Sequence, residues 1–332
     1  MDSPAVVYAG RWLIRDTFCQ ALTSRVFWLM LGTSAVCILF CLSVSVEGPR
    51  TLRSEGESEL YGPTNQPLTG ANPAPGHMTL LFGVARVELF RDVESEVHFL
   101  QAVFGSWVAG VVGVLLALMW TAGFVPESLQ ANVAAVQMTR PVPRWVILVG
   151  KYLGVVLFVA FQAAIFFVGT WAALGVKTGV WRPDYLLGLP ILVVHFAAFY
   201  SVSVYLATLT RSTMASAFGT VIFWALCLGV NYGRCALIAL PAVAPTASPP
   251  PAAAVWTLDA AYWALPKPAD YVLALEGALE TNRHQAALSS APEFRAALDK
   301  GAFAPGLSLL TALGFSAVLC FLGSWQLRET EY

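Results

Sequence analysis

The stretch MTRPVPRWVILVGKYLG, residues 138–154, is the key to how this chain folds. It sets Arg140, Arg144 and Lys151 around Pro141 and Pro143, then runs into an uncharged apolar segment. Two prolines stop a helix and force an extended elbow. Cations beside a long apolar run mark a membrane surface. The stretch therefore reads as a basic turn between two spanning helices, with Lys151 marking where the second of them begins.

Composition supports that reading. Of 332 residues, 57% are hydrophobic and only 12% charged, against about 25% charged in a soluble domain. Mean hydropathy is +0.66. So few polar side chains cannot coat a globule of this size, and a membrane-embedded chain is expected. The net charge of −1 argues against a nucleic-acid partner. Cys19, Cys37, Cys41, Cys227, Cys235 and Cys320 fall mostly in apolar runs without CxxC spacing, and read as small membrane residues. The first 25 residues lack a basic start followed at once by an apolar core, so a cleavable signal is not expected.

A spanning helix needs about 20 mostly apolar residues. Charged residues bracket six such runs, at about 26–46, 102–125, 152–176, 185–209, 213–233 and 305–327. A seventh uncharged run holds Pro241, Pro245, Pro249, Pro250 and Pro251 and reads as an extended loop. Six spans put both termini on one side. That side carries eight cations against five acids, a net +3; the other carries eleven against fifteen, a net −4. The positive-inside rule places both termini in the cytoplasm. Two long outer segments follow, 47–100 and 235–304. The first should end in an amphipathic helix, because Phe82, Leu89, Val93, Val97 and Leu100 recur at helical spacing. The second carries short helical patterns such as PADYVLALEGALET, expected to lie in a solvated cap.

Much chemistry is absent. There is no GxxxxGK[ST] phosphate loop, no HExxH, no GxSxG and no dinucleotide fingerprint, so the chain is not expected to be an enzyme. The six runs hold no Asp, Glu, Lys or Arg, which counts against an ion-coupled carrier. His195, Gln162 and Asn231 lie inside spans and are expected to bond across helices. Gly105, Ala109, Gly113 and Ala117 step by four along the second span; packing within one subunit and a dimer seam both fit that stripe. His77 and Met78 alone do not make a metal site.

The second span leads into PESLQANVAAVQMTRPVPRW, where Pro126 and Glu127 suit a helix start. Leu129, Val133 and Val136 then form a narrow apolar stripe. This short helix, 127–138, ends at a basic elbow that either anchors to lipid headgroups or docks a soluble partner. The segment FVPESLQANVAAVQMTRPVPRWVILVGKYLG resembles the cytoplasmic coupling region of ABC-2-type transporter permeases, with Glu127, Arg140, Pro141, Arg144, Trp145, Gly150 and Lys151 matching its pattern. Where that family often carries Gly-Thr, this chain has Ala131-Asn132. The beginning, RWLIRDTFCQALTSRVFWLML with Arg11 and Arg15, is similar to the family's N-terminal elbow helix. The likeness extends through YSVSVYLATLTRSTMASAFGTVIFWAL and WALPKPADY.

The resemblance implies an all-α polytopic membrane protein: six transmembrane helices, an interfacial elbow helix and a cytoplasmic coupling helix. It implies a second permease copy, as a homo- or heterodimer, and separate ABC ATPase subunits that hold ATP and Mg; this chain would bind no cofactor. Glu127, Leu129, Val133, Val136, Arg140 and Arg144 would contact the ATPase. Export across a plasma membrane, the bacterial inner membrane, is the expected direction and place. The alternatives are a channel or carrier not driven by ATP and a membrane anchor that recruits a cytoplasmic ATPase.

Overall fold

The computed structural model describes residues 3–47, 76–89, 93–128, 143–243, 250–279 and 291–329. Helices dominate. They are α1 (Ser3–Thr23), α2 (Arg25–Ser43), α3 (Val93–Ala102), a π-helical stretch (Val103–Gly113), α4 (Val114–Thr121), α5 (Phe124–Ser128) and α6 (Arg144–Thr178). Then come α7 (Gly188–Thr210), α8 (Thr213–Val243), α9 (Ala252–Ala264), α10 (Pro268–Ala278), α11 (Pro292–Asp299) and α12 (Pro305–Glu329). Among the described residues, five helical segments are long and apolar enough to cross a membrane; the bent pair α1–α2 makes six if taken as one span. These segments expose apolar side chains outward. Phe218, Ile222 and Leu226 on α8 and Leu310, Val318 and Phe321 on α12 are all more than half exposed. Water would penalise such faces and hydrocarbon would not. Exposed tryptophans sit toward both ends of the bundle: Trp28, Trp145 and Trp325 at one, Trp181 and Trp256 at the other. An amphipathic indole prefers that depth. The architecture is that of a multi-pass helical membrane protein.

The centre of the bundle is α7, packed against α6, α8, α10 and α12. Its Phe196, Phe199 and Tyr200 are essentially unexposed. Tyr152 of α6 stacks on Tyr200 with centroids 5.8 Å apart and donates to the Ala197 carbonyl at 3.0 Å. Gln162 donates to Ser34 Oγ across α6 and α2 at 3.3 Å, as expected of an intramembrane amide.

Helix α6 starts at Arg144, before Lys151, and runs 35 residues, about 52 Å of helix, longer than a hydrocarbon core of about 30 Å. Two sequence readings are corrected. The segment before α3 is not one amphipathic helix. It is a hairpin, β2 (Gly76–Leu80) and β3 (Ala85–Leu89), with β2 also paired antiparallel to β1 (Ser45–Glu47). The pairing partner of β2 is the short strand after α2, which no local periodicity reveals. Val97 and Leu100 do keep their helical face, and both are buried on α3. Finally, the proline-rich run 235–258 is helical at both of its described ends rather than an extended loop. Pro241 lies in the last turn of α8, and Pro251 precedes α9 rather than breaking it.

Candidate functional site

Polar side chains gather at the end of the bundle where α1 meets α6, and in a knot at the other end.

At the first, α1 bends 65° from α2 and lies along α6. Its buried face is Leu13, Thr17 and Ala21, with Gly10 half-buried beside them, while Arg11 and Arg15 are exposed. The seat is Gly150-Lys151-Tyr152-Leu153-Gly154. A Cβ at Gly150 would sit 3.0 Å from Leu13 Cβ, and one at Gly154 would sit 2.7 Å from Thr17 Cβ. Small residues four apart let two helix backbones meet. Lys151 lies between those glycines and is buried, opposed by the carboxylates of Asp16 on α1 and Glu127 on α5. The same end receives the C-terminal part of α12, where a Cβ at Gly323 would lie 3.2 Å from Leu148.

Glu127 is exposed on α5. Arg144 is the first residue of α6, with Pro143 extended just before it. Leu129, Val133, Val136 and Arg140, and with them most of the predicted helix 127–138, lie outside the described residues. Lys151 thus lies in the field of the Asp16 and Glu127 carboxylates.

The stripe of small residues on the second span divides. Gly105 packs inside the chain, where a Cβ would lie 2.4 Å from Leu275 of α10 and 3.3 Å from Tyr185. Gly110 is tighter still, at 2.0 Å from Tyr271. Ala109, Gly113 and Ala117 instead line a slot beside α2 and α6. The π winding causes the split, because i→i+5 bonding takes more residues per turn and moves four-spaced residues off one face.

The second place was missed by the sequence reading. Helix α10 is not in a solvated cap: Pro268 through Leu273, Leu275 and Glu276 are buried. Tyr271 donates to the Gly105 carbonyl at 2.8 Å. Asp270 is 6% exposed. Its Oδ1 accepts from Asn231 at 3.2 Å, and its Oδ2 accepts from Tyr262 at 2.6 Å and Ser308 at 2.5 Å. Lys267 donates to Thr311 Oγ1 at 2.7 Å and lies 4.9 Å from the centre of the Tyr262 ring. Arg234 covers the same ring at 4.0 Å and bridges to Asp259 at 2.7 Å. Helices α8, α9, α10 and α12 are thereby tied at one point. Burial pushes the Asp270 carboxyl above its ordinary value, against the pull of Ser308, Tyr262, Lys267 and Arg234. Burial likewise pushes the Lys267 ammonium down, with Asp270 opposing. A cavity of about 30 Å³ between His195, Lys267, Asp270 and Ser308 is large enough for water. His195 itself stacks on Tyr271 at 5.1 Å. The available signal was in PADYVLALEG: a short helix apolar nearly all round is a buried helix.

No protein-family model matches the chain, and no curated protein matches it.

Proposed function

We propose that this chain is the membrane permease subunit of an ATP-driven transporter, built on the plan of ABC-2-type permeases and working as an exporter with both termini in the cytoplasm. The observation that carries the reading is the seat of α1 on Gly150 and Gly154, with the buried Lys151 in the field of Asp16 and Glu127. That junction ties the bent N-terminal pair, the end of the second span and the start of the third into one unit. A push on the segment that follows Glu127 would reach three spans together. A separate ATPase docked on helix 127–138 would deliver that push, with Leu129, Val133 and Val136 as apolar contacts and Glu127, Arg140 and Arg144 as polar ones. ATP and Mg belong to that partner, and a second permease copy completes the pathway.

The test is charge reversal on both sides of the helix. Glu127→Lys with Arg140→Glu should cut co-purification of the ATPase at least about tenfold, the loss of one charged contact, with ATP-dependent transport falling in step. Unchanged association and transport would sink the coupling role.

The Asp270–Lys267 knot favours a second reading, an ion-coupled carrier, because buried ionisable groups are what such carriers need. Transport that survives ATP depletion and is lost in Asp270→Asn would select that reading instead.

A further inference from the structure

Between α2, the second span and α6 runs a slot of about 110 Å³. It opens on the lipid-facing surface beside Thr33 and Val112, both exposed. Its walls include Met30, Val108, Leu116, Val159 and Phe166, and no charged residue among those described lines it. Ala109, Gly113 and Ala117 leave room for it. The π-helical stretch forms one wall, and such windings recur at functional sites.

Thr33, Ser34 and Gln162 break the apolar lining. Gln162 is 3% exposed and donates its Nε2 to Ser34, while its Oε1 has no hydrogen-bond partner among the described residues. Thr33 differs, since its hydroxyl is satisfied by the Leu29 carbonyl at 2.8 Å. An unpaired amide carbonyl in hydrocarbon is costly, because no water is there to meet it. Both Ser34 and Gln162 lie midway along their helices, so the acceptor sits near mid-bilayer.

We propose that this slot binds a neutral amphiphile, a hydrocarbon chain or ring whose hydroxyl or amide N–H donates to Gln162 Oε1. The volume sets the size of the bound part. An apolar cavity of about 150 Å³ holds a benzene ring, so this slot takes a ring or a few methylenes, and the remainder lies among the lipid tails. The uncharged lining excludes an ionic headgroup.

Trp120 lines the slot and reports on it. The full chain, purified into lipid nanodiscs without ATPase or ATP, is titrated with a bromine-tipped long-chain alcohol and with the matching bromoalkane. Comparison with Trp120→Phe isolates the quenching of that one indole. The alcohol should quench Trp120 saturably, and about tenfold more tightly than the alkane, the worth of one hydrogen bond. Gln162→Leu should weaken the alcohol about tenfold and leave the alkane unchanged, which also shows that the variant is folded. Ala109→Phe should abolish saturable quenching by both. Equal affinity for alcohol and alkane, or alcohol binding untouched by Gln162→Leu, overturns the proposal. So does a cysteine at Val112 that links to a second copy above the wild-type level, since the slot would then be an interface. No ATPase takes part, so failure here is distinct from failure of the coupling reading.

Discussion

Gly154 and Asp270 show how single side chains hold this molecule together. At Gly154 even a methyl group would meet Thr17 of α1. Gly154→Leu should therefore lift α1 off α6 and cost about 1–3 kcal/mol by overpacking. Faster proteolysis within residues 3–23, together with a lower unfolding temperature, is the expected result. Asp270 accepts three hydrogen bonds in a buried site. Asp270→Ala strands three donors and should destabilise by about 3 kcal/mol or more, measured by thermal unfolding in detergent. Its pH dependence has a definite sign. Burial raises the folded-state value of the Asp270 carboxyl, so the folded state holds its proton better than the unfolded chain does. Its contribution to stability is fully present below the unfolded value of about 4 and is lost as pH rises through the raised folded value. Lys267 is shifted the other way. Its contribution is complete only above about 10.4 and is lost as pH falls through the lowered folded value. Between those limits, Asp270→Asn should flatten the acid-side slope; a variant curve parallel to wild type would remove Asp270 as its source.

At the scale of elements, α10 is the piece that closes the bundle at the end away from the chain termini. It is too short to span a bilayer, and it is held by the glycines of the second span and by the Asp270 bonds. Its seat is narrow at Gly110, where a Cβ would collide with the Tyr271 ring. Gly110→Val should displace α10 and open the small cluster that buries Cys235 with Ala269 and Leu273. A membrane-impermeant maleimide, followed by mass analysis of the Cys235 peptide, should show labelling in the variant and protection in wild type. Persistent protection would mean that α10 is not seated through Gly110. The hairpin behaves differently. Leu81 and Phe82 take left-handed backbone angles at its tip, with φ of 53° and 56°, and both are exposed there. Strand pairing to Ser45–Glu47, which directly follows α2, anchors it.

For the whole molecule, the alternation of spans brings α1, the start of α6 and the end of α12 to one end of the bundle. On the proposed reading, the charge bias of +3 against −4 places that end in the cytoplasm. A fluorescent protein fused after Tyr332 should fold and fluoresce, and a periplasmic phosphatase at the same point should be inactive. The reverse pattern would invert the molecule and remove Glu127 and Arg140 from any cytoplasmic ATPase.

The spans were legible because length, apolarity and flanking charge are local properties of a chain, and a bilayer tests each helix largely by itself. The motif GKYLG, within the stretch that begins at Met138, was not legible as a seat: the residues that fill Gly150 and Gly154 lie on α1, more than 130 positions earlier. Nor could periodicity show that Asp270 would find Asn231, Tyr262 and Ser308 on three other helices, or that Ser45–Glu47 would recruit β2. The sequence by itself determined a helical membrane chain and its charge asymmetry. Only the tertiary structure decided which polar groups are buried, where α10 lies and where a slot remains, because burial depends on partners that are distant along the chain.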